Sequence, residues 1–414
     1  MRTEEFWVMD ERDEPLADDL GLGLGAVPAR VLAYLLRRGS DDRVDTAPAR
    51  QLDIRLGTGL GRQPVTDALS TLSERGLVTE STLESDQGRP PKVWTASAPV
   101  ETATRGAFES RADDLVSALS ADTAGSTDAA GTGSIRVGFN WRPNGLHIPF
   151  YAALETDVYE TSGVDAEFTH YRGSKRALDA VVDDDVDVAV VGAATLMSAM
   201  ERGRTIEPLA VLYQRAMTVL YTTGEAFGGP LTSSEQLRGR RIGLSPNTET
   251  RLLAELFLSQ AGIAGDVEVF ETDGEELEAL QSGRADVVAG SFSDPWKLEA
   301  AHDTETLAIA EQFPIYGPAL VVDPADAPTD RLRPFLTGTL LGWQAGRADP
   351  TPAAERIAAD GDDDREEVER TFREALESFA DSKARRTEGW GVHREDEWER
   401  LRIALARTGR IDPA

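Results

Sequence analysis

The 414-residue sequence predicts an α/β protein in which a small module of helices and a hairpin precedes two similar α/β lobes. Three observations carry that prediction. From residue 134 onward, short apolar strand-like runs alternate with segments of helical period. Two stretches of that region echo each other, RALDAVVDDDVDVAVVGAAT (176–195) and EELEALQSGRADVVAGSFSD (275–294). Each reads as helix, turn, buried strand and small-residue loop. Residues 27–97 follow a different pattern: three helical periods, then alternation around a Gly-Arg-Pro tip.

In chain order, residues 1–26 read as an acidic N-terminal extension. VPARVLAYLLRRG (27–39) sets Val31, Leu32, Leu35 and Leu36 on one helical stripe that Gly39 ends. TAPARQLDIRLG (46–57) predicts a second helix with Thr46 as N-cap and Pro48 in the first turn. RQPVTDALSTLSERGLV (62–78) predicts a third, with Pro64 in its first turn and Val65, Leu69 and Leu72 on one face. LVTESTLESDQGRPPKVWTAS (77–97) alternates like two strands. Residues 98–133 hold a helix over 100–121, useful as a spacer or dimer contact, and a flexible linker, DTAGSTDAAGTGS (122–134). Residues 134–414 form the lobed region, with a second lobe over about 223–318 and C-terminal helices over 350–414. Its expected strands are IRVGFN, VDAEFTHY, VDVAVVG, RRIGLS, DVEVFET and ADVVAGS, and RLLAELFLSQAGI (251–263) is a connecting helix.

Asp and Glu number 73 against 43 Lys and Arg, a net charge of −30, and the only lysines are Lys92, Lys175, Lys297 and Lys383. Acid spread through periodic, foldable sequence, with little lysine, fits a protein of a halophilic, salt-accumulating organism. The absence of cysteine excludes disulfides, thiolate zinc sites and cysteine nucleophiles. MRTEEFWVMDERDEPLADDL lacks a basic region followed by an apolar core, and no stretch approaches the roughly 20 apolar residues that span a bilayer. A cytoplasmic protein without a membrane partner is expected. His147, His170, His302 and His393 lack metal-ligand spacing, and neither a phosphate loop nor a nucleophile elbow is present. No metal, cofactor or catalytic residue is therefore expected, and DGDDDREEVER (360–370) reads as a solvated helix start.

The charge is uneven. Residues 27–97 carry ten basic residues against nine acidic ones, which points to a polyanionic partner. The run VTDALSTLSERGLV with the hairpin GRPPKVW resembles a winged helix-turn-helix of the archaeal MarR and TrmB kind. That resemblance implies double-stranded DNA as the partner. Arg62, Gln63, Thr66 and Asp67 would face bases or phosphates, and Arg89 and Lys92 of the wing would contact the backbone. Paired half-sites imply a homodimer. A winged helix that mediates only protein contacts is the alternative.

FNWRPNGLHIPFYAALETDVYETSGVD (139–165) resembles the first motif of the thiamine-pyrimidine precursor synthases and their pyrimidine-binding bacterial relatives. These group with periplasmic-type binding proteins for nitrate, sulfonates and taurine. The shared residues are Asn140-Trp141-Arg142-Pro143, His147-Ile148-Pro149, Tyr159 and Gly163-Val164-Asp165. LRGRRIGLS (237–245) and GWGVHREDEWERLRIALARTGRID (389–412) extend the likeness over residues 134–414. The fold class expected for the chain is α/β, an N-terminal winged helix-turn-helix plus a bilobal type II periplasmic-binding-protein-like domain.

The resemblance implies either an enzyme or a binder. The enzyme branch carries a pyridoxal phosphate lysine and a sacrificed histidine where this chain has Val191 and Thr195. Its cysteine-rich run falls near FPIYGPALVVD (313–323), which has no cysteine. Valine forms no Schiff base and threonine supplies no imidazole, so binding without catalysis is expected. In a binder, Trp141 or Tyr151 would stack on a planar aminopyrimidine while Asn144 and His147 bond its ring nitrogens. Thr195 would reach in from the first lobe, and Asn247, Thr248 and Glu249 of SPNTETR (245–251) from the second, with Glu249 suited to an exocyclic amine. Trp296 of SDPWK (293–297) and Tyr316 would supply aromatic walls. Packing, capping and hinge roles compete for each of these residues, and Trp390 and Trp398 read as core.

The expected function is a cytoplasmic, ligand-responsive transcription regulator that senses a thiamine-precursor pyrimidine and controls thiamine-related uptake or synthesis genes. A sensor of a sulfonate, nitrate or flavin-like ligand is the alternative. A transport-binding protein and a pyrimidine-forming enzyme are disfavoured.

Overall fold

The computed structural model describes residues 7–40, 48–84, 90–119, 133–299, 302–312 and 315–409. The chain opens with α1 (Glu14–Leu24), α2 (Ala26–Ser40), β1 (Ala49–Arg50), α3 (Gln51–Thr58) and α4 (Arg62–Glu74). β2 (Val78–Thr82), β3 (Lys92–Ala96) and α5 (Val100–Ser117) follow. The three strands form one antiparallel sheet in the order β1-β3-β2. The short strand β1 corrects the sequence reading: the second helix begins at Gln51, because Ala49 and Arg50 pair with Trp94 and Val93. Asp53 then bonds back to the Arg50 amide at 2.8 Å. Thr46, Arg89 and the linker over 120–132 lie outside the described residues.

The first lobe comprises β4 (Gly133–Phe139), α6 (Ile148–Glu155), α7 (Val158–Ser162), β5 (Val164–His170), α8 (Ser174–Val182), β6 (Val188–Val191), α9 (Ala193–Glu201) and β7 (Glu207–Val211). The second contains β8 (Thr218–Thr223), α10 (Gly224–Phe227), β9 (Arg241–Leu244), α11 (Glu249–Gln260), β10 (Glu268–Glu271) and α12 (Glu276–Gln281). It continues through β11 (Val287–Ser291), α13 (Trp296–Glu299), β12 (Thr304–Ala308) and α14 (Ile309–Gln312). The chain then returns to the first sheet as β13 (Ala319–Val322) and ends in α15 (Thr329–Ala348), α16 (Thr351–Asp360), α17 (Arg365–Ser378), α18 (Lys383–Glu388) and α19 (Glu395–Arg407). The sheet orders are β5-β4-β6-β13-β7 and β10-β9-β11-β8-β12. The backbone therefore crosses between lobes twice, after β7 and before β13.

The echo seen in the sequence has a structural counterpart. In the first lobe Arg136 donates its amide and guanidinium to Asp187, at 2.7 Å from the amide and 2.9 Å from Nη2. In the second lobe Arg241 does the same to Asp286, at 2.8 and 2.6 Å. Each aspartate returns its own amide to the arginine's carbonyl at 2.9 Å. The two ion pairs fasten the entry of β6 to β4 and of β11 to β9.

Residues 7–26 and α5 are both packed against the rest of the molecule. Leu16, Leu20 and Leu24 of α1 are buried, and α1 packs on α2, α5 and α15. The helix α5 lies along α15 with Ala107, Phe108 and Ala112 fully enclosed. One apolar cluster runs from Trp7, Tyr34 and Leu72 through Phe108 to Phe139, Trp343 and Trp390. The reason is plain in the sequence: α5 has apolar groups on more than one face, so it must be covered on both sides.

Residues 379–392 form a strap around this junction. Arg215 donates its amide to the Phe379 carbonyl (3.1 Å), Gln214 Nε2 donates to the Val392 carbonyl (3.1 Å), and Val211 bridges Gly391. On its other side, the Trp390 amide donates to the Leu22 carbonyl at 2.7 Å, and the buried Arg111 Nε donates to the Trp390 carbonyl at 2.7 Å. The strap thus joins the first interlobe crossing to α1 and α5. Finally, α19 rests on α9 of one lobe and α11 of the other, and Trp398, Leu401 and Leu405 are buried there.

Candidate functional site

The loop after β4 is built by the residues of the Asn-Trp-x-Pro motif. Asn144 Oδ1 accepts the Leu146 amide (2.9 Å) and its Nδ2 donates to the Arg142 carbonyl (2.9 Å), so the side chain is occupied in starting the short 3-10 turn Gly145–His147. His147 is 3% exposed and lies against Phe139, with ring centroids 4.5 Å apart. His170 donates Nδ1–H to the Trp141 carbonyl (2.6 Å), which leaves Nε2 to accept the Tyr151 hydroxyl (3.0 Å). Burial pushes the Tyr151 hydroxyl up to about 12 and holds both histidines below their ordinary range. Trp141 is exposed, at 46%, with the Arg142 guanidinium 5.7 Å from its ring centroid.

The buried His147 has a measurable consequence. Its imidazole stays neutral in the folded protein, while the unfolded chain titrates it near the ordinary 6.5. A depressed pKa gives stability that is complete above that pH and is lost as pH falls below it. The expected slope is up to about 1.4 kcal/mol per pH unit. Urea unfolding at two pH values either side of 6.5 checks it: His147→Phe is expected to lose less stability than the parent on acidification, and equal losses would refute the assignment.

Across the cleft, Asn247 takes a left-handed conformation (φ 58°), which asparagine tolerates, and turns the chain into α11. Thr248 caps that helix by accepting the Arg251 amide at 3.1 Å. Glu249, the next residue, is directed into the first lobe. Its Oε1 accepts the Ala194 amide (2.9 Å), and its Oε2 accepts the Thr195 amide (3.0 Å) and the Thr195 hydroxyl. Burial raises the Glu249 carboxyl, opposed by these three hydrogen bonds. Both Glu249 oxygens are thus engaged by the first lobe, Oε1 once and Oε2 twice.

Beside this contact lies an interlobe cavity of about 650 Å³. Thr195, Asn247 and Thr248 line it, so three residues expected from the sequence meet there. Sequence reasoning did not single out its charged walls: Lys175 and Asp179 of α8, Arg202 and Arg204 after α9, and Arg251, Glu255 and Glu271 of the second lobe. Lys175 pairs with Asp179 at 2.5 Å, and Arg251 pairs with Glu255 and Glu271 at 2.9 and 2.7 Å. The guanidinium groups of Arg202 and Arg204 meet no carboxylate among the described residues. The legible signal was Arg251, which closes the SPNTETR run.

Other expected site residues lie away from this cavity. Trp296 is edge-on to Phe292, and the Arg370 guanidinium sits 3.9 Å from its ring centroid. Tyr316 accepts the Arg394 amide (3.1 Å) and packs on Trp398 at 5.1 Å. Both are engaged by the C-terminal helices. In the N-terminal module, Arg62, Gln63, Thr66 and Asp67 are all exposed on the first turns of α4. Gln63 donates to Asp67 (2.7 Å), Gln51 donates to Thr66 (2.6 Å), and Lys92 pairs with Glu80 at 2.7 Å. No metal-holding cluster of His, Asp or Glu occurs among the described residues, and none of their helices is long and apolar enough to cross a membrane.

Two α/β lobes, two interlobe crossings and a cavity in the seam define a bilobal ligand-binding protein. Residues 144–353 match the family described as NMT1/THI5 like, just over half the chain, and the protein belongs to that family. Solved structures of similar fold include the Candida albicans CA3427 gene product, which exhibits the generic periplasmic binding protein fold (15% identity, TM-score 0.54, 68% of this chain and 92% of that one). Another is the aliphatic sulphonate binding protein SsuA from Escherichia coli (14%, 0.51, 68% and 94%). Comparison with curated proteins gives no match. These likenesses establish the α/β binding-protein fold of the lobes.

Proposed function

We propose that the protein is a cytoplasmic, ligand-responsive DNA-binding regulator, in which a bilobal clamp reads a small molecule and a winged helix-turn-helix reads the operator as a homodimer. One observation carries the reading: the polar side chains Arg62, Gln63, Thr66 and Asp67 at the start of α4 are all exposed on a module fused to a binding clamp. Helix–strand–helix–helix–hairpin connectivity with sheet order β1-β3-β2 supports it, since a winged helix needs that arrangement to present its recognition helix. The reading contains no catalytic step. Fluorescence anisotropy with duplexes from the DNA upstream of the protein's own gene, in high salt, tests it. Arg62→Ala and Gln63→Ala are each expected to weaken selective binding by about 5- to 100-fold, the range of a lost base contact. Absence of sequence-selective retention, with and without ligand, refutes the regulator reading.

For the ligand, membership of the NMT1/THI5-like family supports a thiamine-precursor pyrimidine. A second reading, an oxyanion-bearing molecule such as a sulfonate, is favoured by Arg202 and Arg204 on the cavity wall and by Glu249 having both oxygens engaged. A thermal-shift screen of thiamine intermediates, sulfonates and flavins separates them, because a ligand of the folded clamp raises its melting temperature.

A further inference from the structure

The cleft is closed by a contact that the protein makes with itself. Glu249 stands at the start of α11 in the second lobe, yet its carboxylate accepts two backbone amides and a hydroxyl at the start of α9 in the first. The N-terminal end of a helix carries unpaired amide donors and a positive dipole end, and a carboxylate is the natural partner for both. The first lobe makes room for it with Gly192: a Cβ there would lie 2.3 Å from the Glu249 Cδ. Gly192 has φ −64°, which any residue adopts, so space for the carboxylate explains the glycine where backbone conformation does not. A second clasp stands behind the first, since α19 packs on α9 and α11 together.

We propose that Glu249 is an intramolecular latch, holding the two lobes closed without ligand by supplying the anion that the start of α9 receives. In a clamp of this kind the free protein is already shut, and the ligand's work is to change or release a closed state. The proposal rests on the clamp reading given above, but it concerns the unliganded protein and so is decided without any ligand. The latch is also weak enough to be released. A partly buried carboxylate gains three hydrogen bonds and loses part of its hydration, two effects of opposite sign.

The absence of cysteine makes the test direct. Spin labels on Asp183→Cys and Ser282→Cys, exposed residues at the ends of α8 and α12, report the distance between lobes in the full chain. The unliganded parent is expected to give one short distance population. Glu249→Ala is expected to add a longer one, and Gly192→Ala is expected to do the same by expelling the carboxylate while leaving it in the chain. Thr195→Val removes one of three donors and should give a smaller shift in the same direction, which serves if Glu249→Ala fails to fold. A parent-like single short distance in both the Glu249→Ala and Gly192→Ala proteins overturns the latch. A parent that is already open overturns it too, while leaving the clamp and its ligand intact as an idea.

Discussion

Gly25→Ala is expected to destabilise the protein by about 3 kcal/mol or more, through backbone strain and a clash that nothing flexible can relieve. Gly25 joins α1 to α2 with φ 74° and ψ 166°, a conformation open almost only to glycine. A Cβ there would stand 2.1 Å from the Thr387 carbonyl oxygen and 2.5 Å from its carbon, both backbone atoms. The corner of the N-terminal module is therefore seated directly on α18. Urea unfolding with the slope unchanged and the midpoint lowered is the expected record. A parent-like midpoint would mean that the corner is not seated there.

Trp390→Ala is expected to cost about 3–5 kcal/mol, the range for emptying a large aromatic site in a core. Trp390 is fully buried, its ring centroid is 6.3 Å from that of Trp343, and its amide bonds to Leu22. Its buried Nε1–H meets no acceptor among the described residues. Trp390→Phe should therefore be much milder, because it discards an unsatisfied donor along with part of the ring. Combined with Gly25→Ala, the loss is expected to be less than the sum of the two, since both changes open the same junction between strap and N-terminal helices. Strict additivity of the two midpoint shifts would show that the strap and the α1–α2 corner yield independently.

Much of the fold could be read from periodicity, and the part that could not has a common cause. Six strands, β4, β5, β6, β9, β10 and β11, follow apolar runs such as VDVAVV and ADVVAG that stand between clear helices. The strands β7, β8, β12 and β13 escaped notice. They are the elements of the two interlobe crossings and their antiparallel neighbours, where TETLA and TVLYTT carry polar residues and follow no helix–strand alternation. Their pairing depends on residues brought together from far along the chain.

The site divides in the same way. Thr195, Asn247 and Thr248 could be placed because each sits at the end of a recognisable strand, where an α/β lobe presents loops. Asn144 and His147 looked like ligand groups by type, but residue type does not show that Asn144 is used by the Leu146 amide or that Phe139 covers His147. Glu249 was named for its chemistry, whereas its partners 54 and 55 residues away follow only from how the lobes meet. Arg202 and Arg204 read as an ordinary charged turn until the cavity wall is seen.

The welded junction between the N-terminal helices and the first lobe fixes which part of the molecule serves as frame and which as lever. Because α1 and α5 pack on α15, and α15 packs on α6, α7 and β4 of the first lobe, Arg62 and Trp141 stand on the same side of the two crossings. Were the second lobe to rotate at the two crossings, that spacing would stay unchanged while α11 and α12 moved. In a homodimer of the proposed regulator, a signal from the cleft would reach α4 only where the moving arm touches the partner. Contact made solely between the frames would leave the two α4 helices at a constant separation whatever the cleft contained.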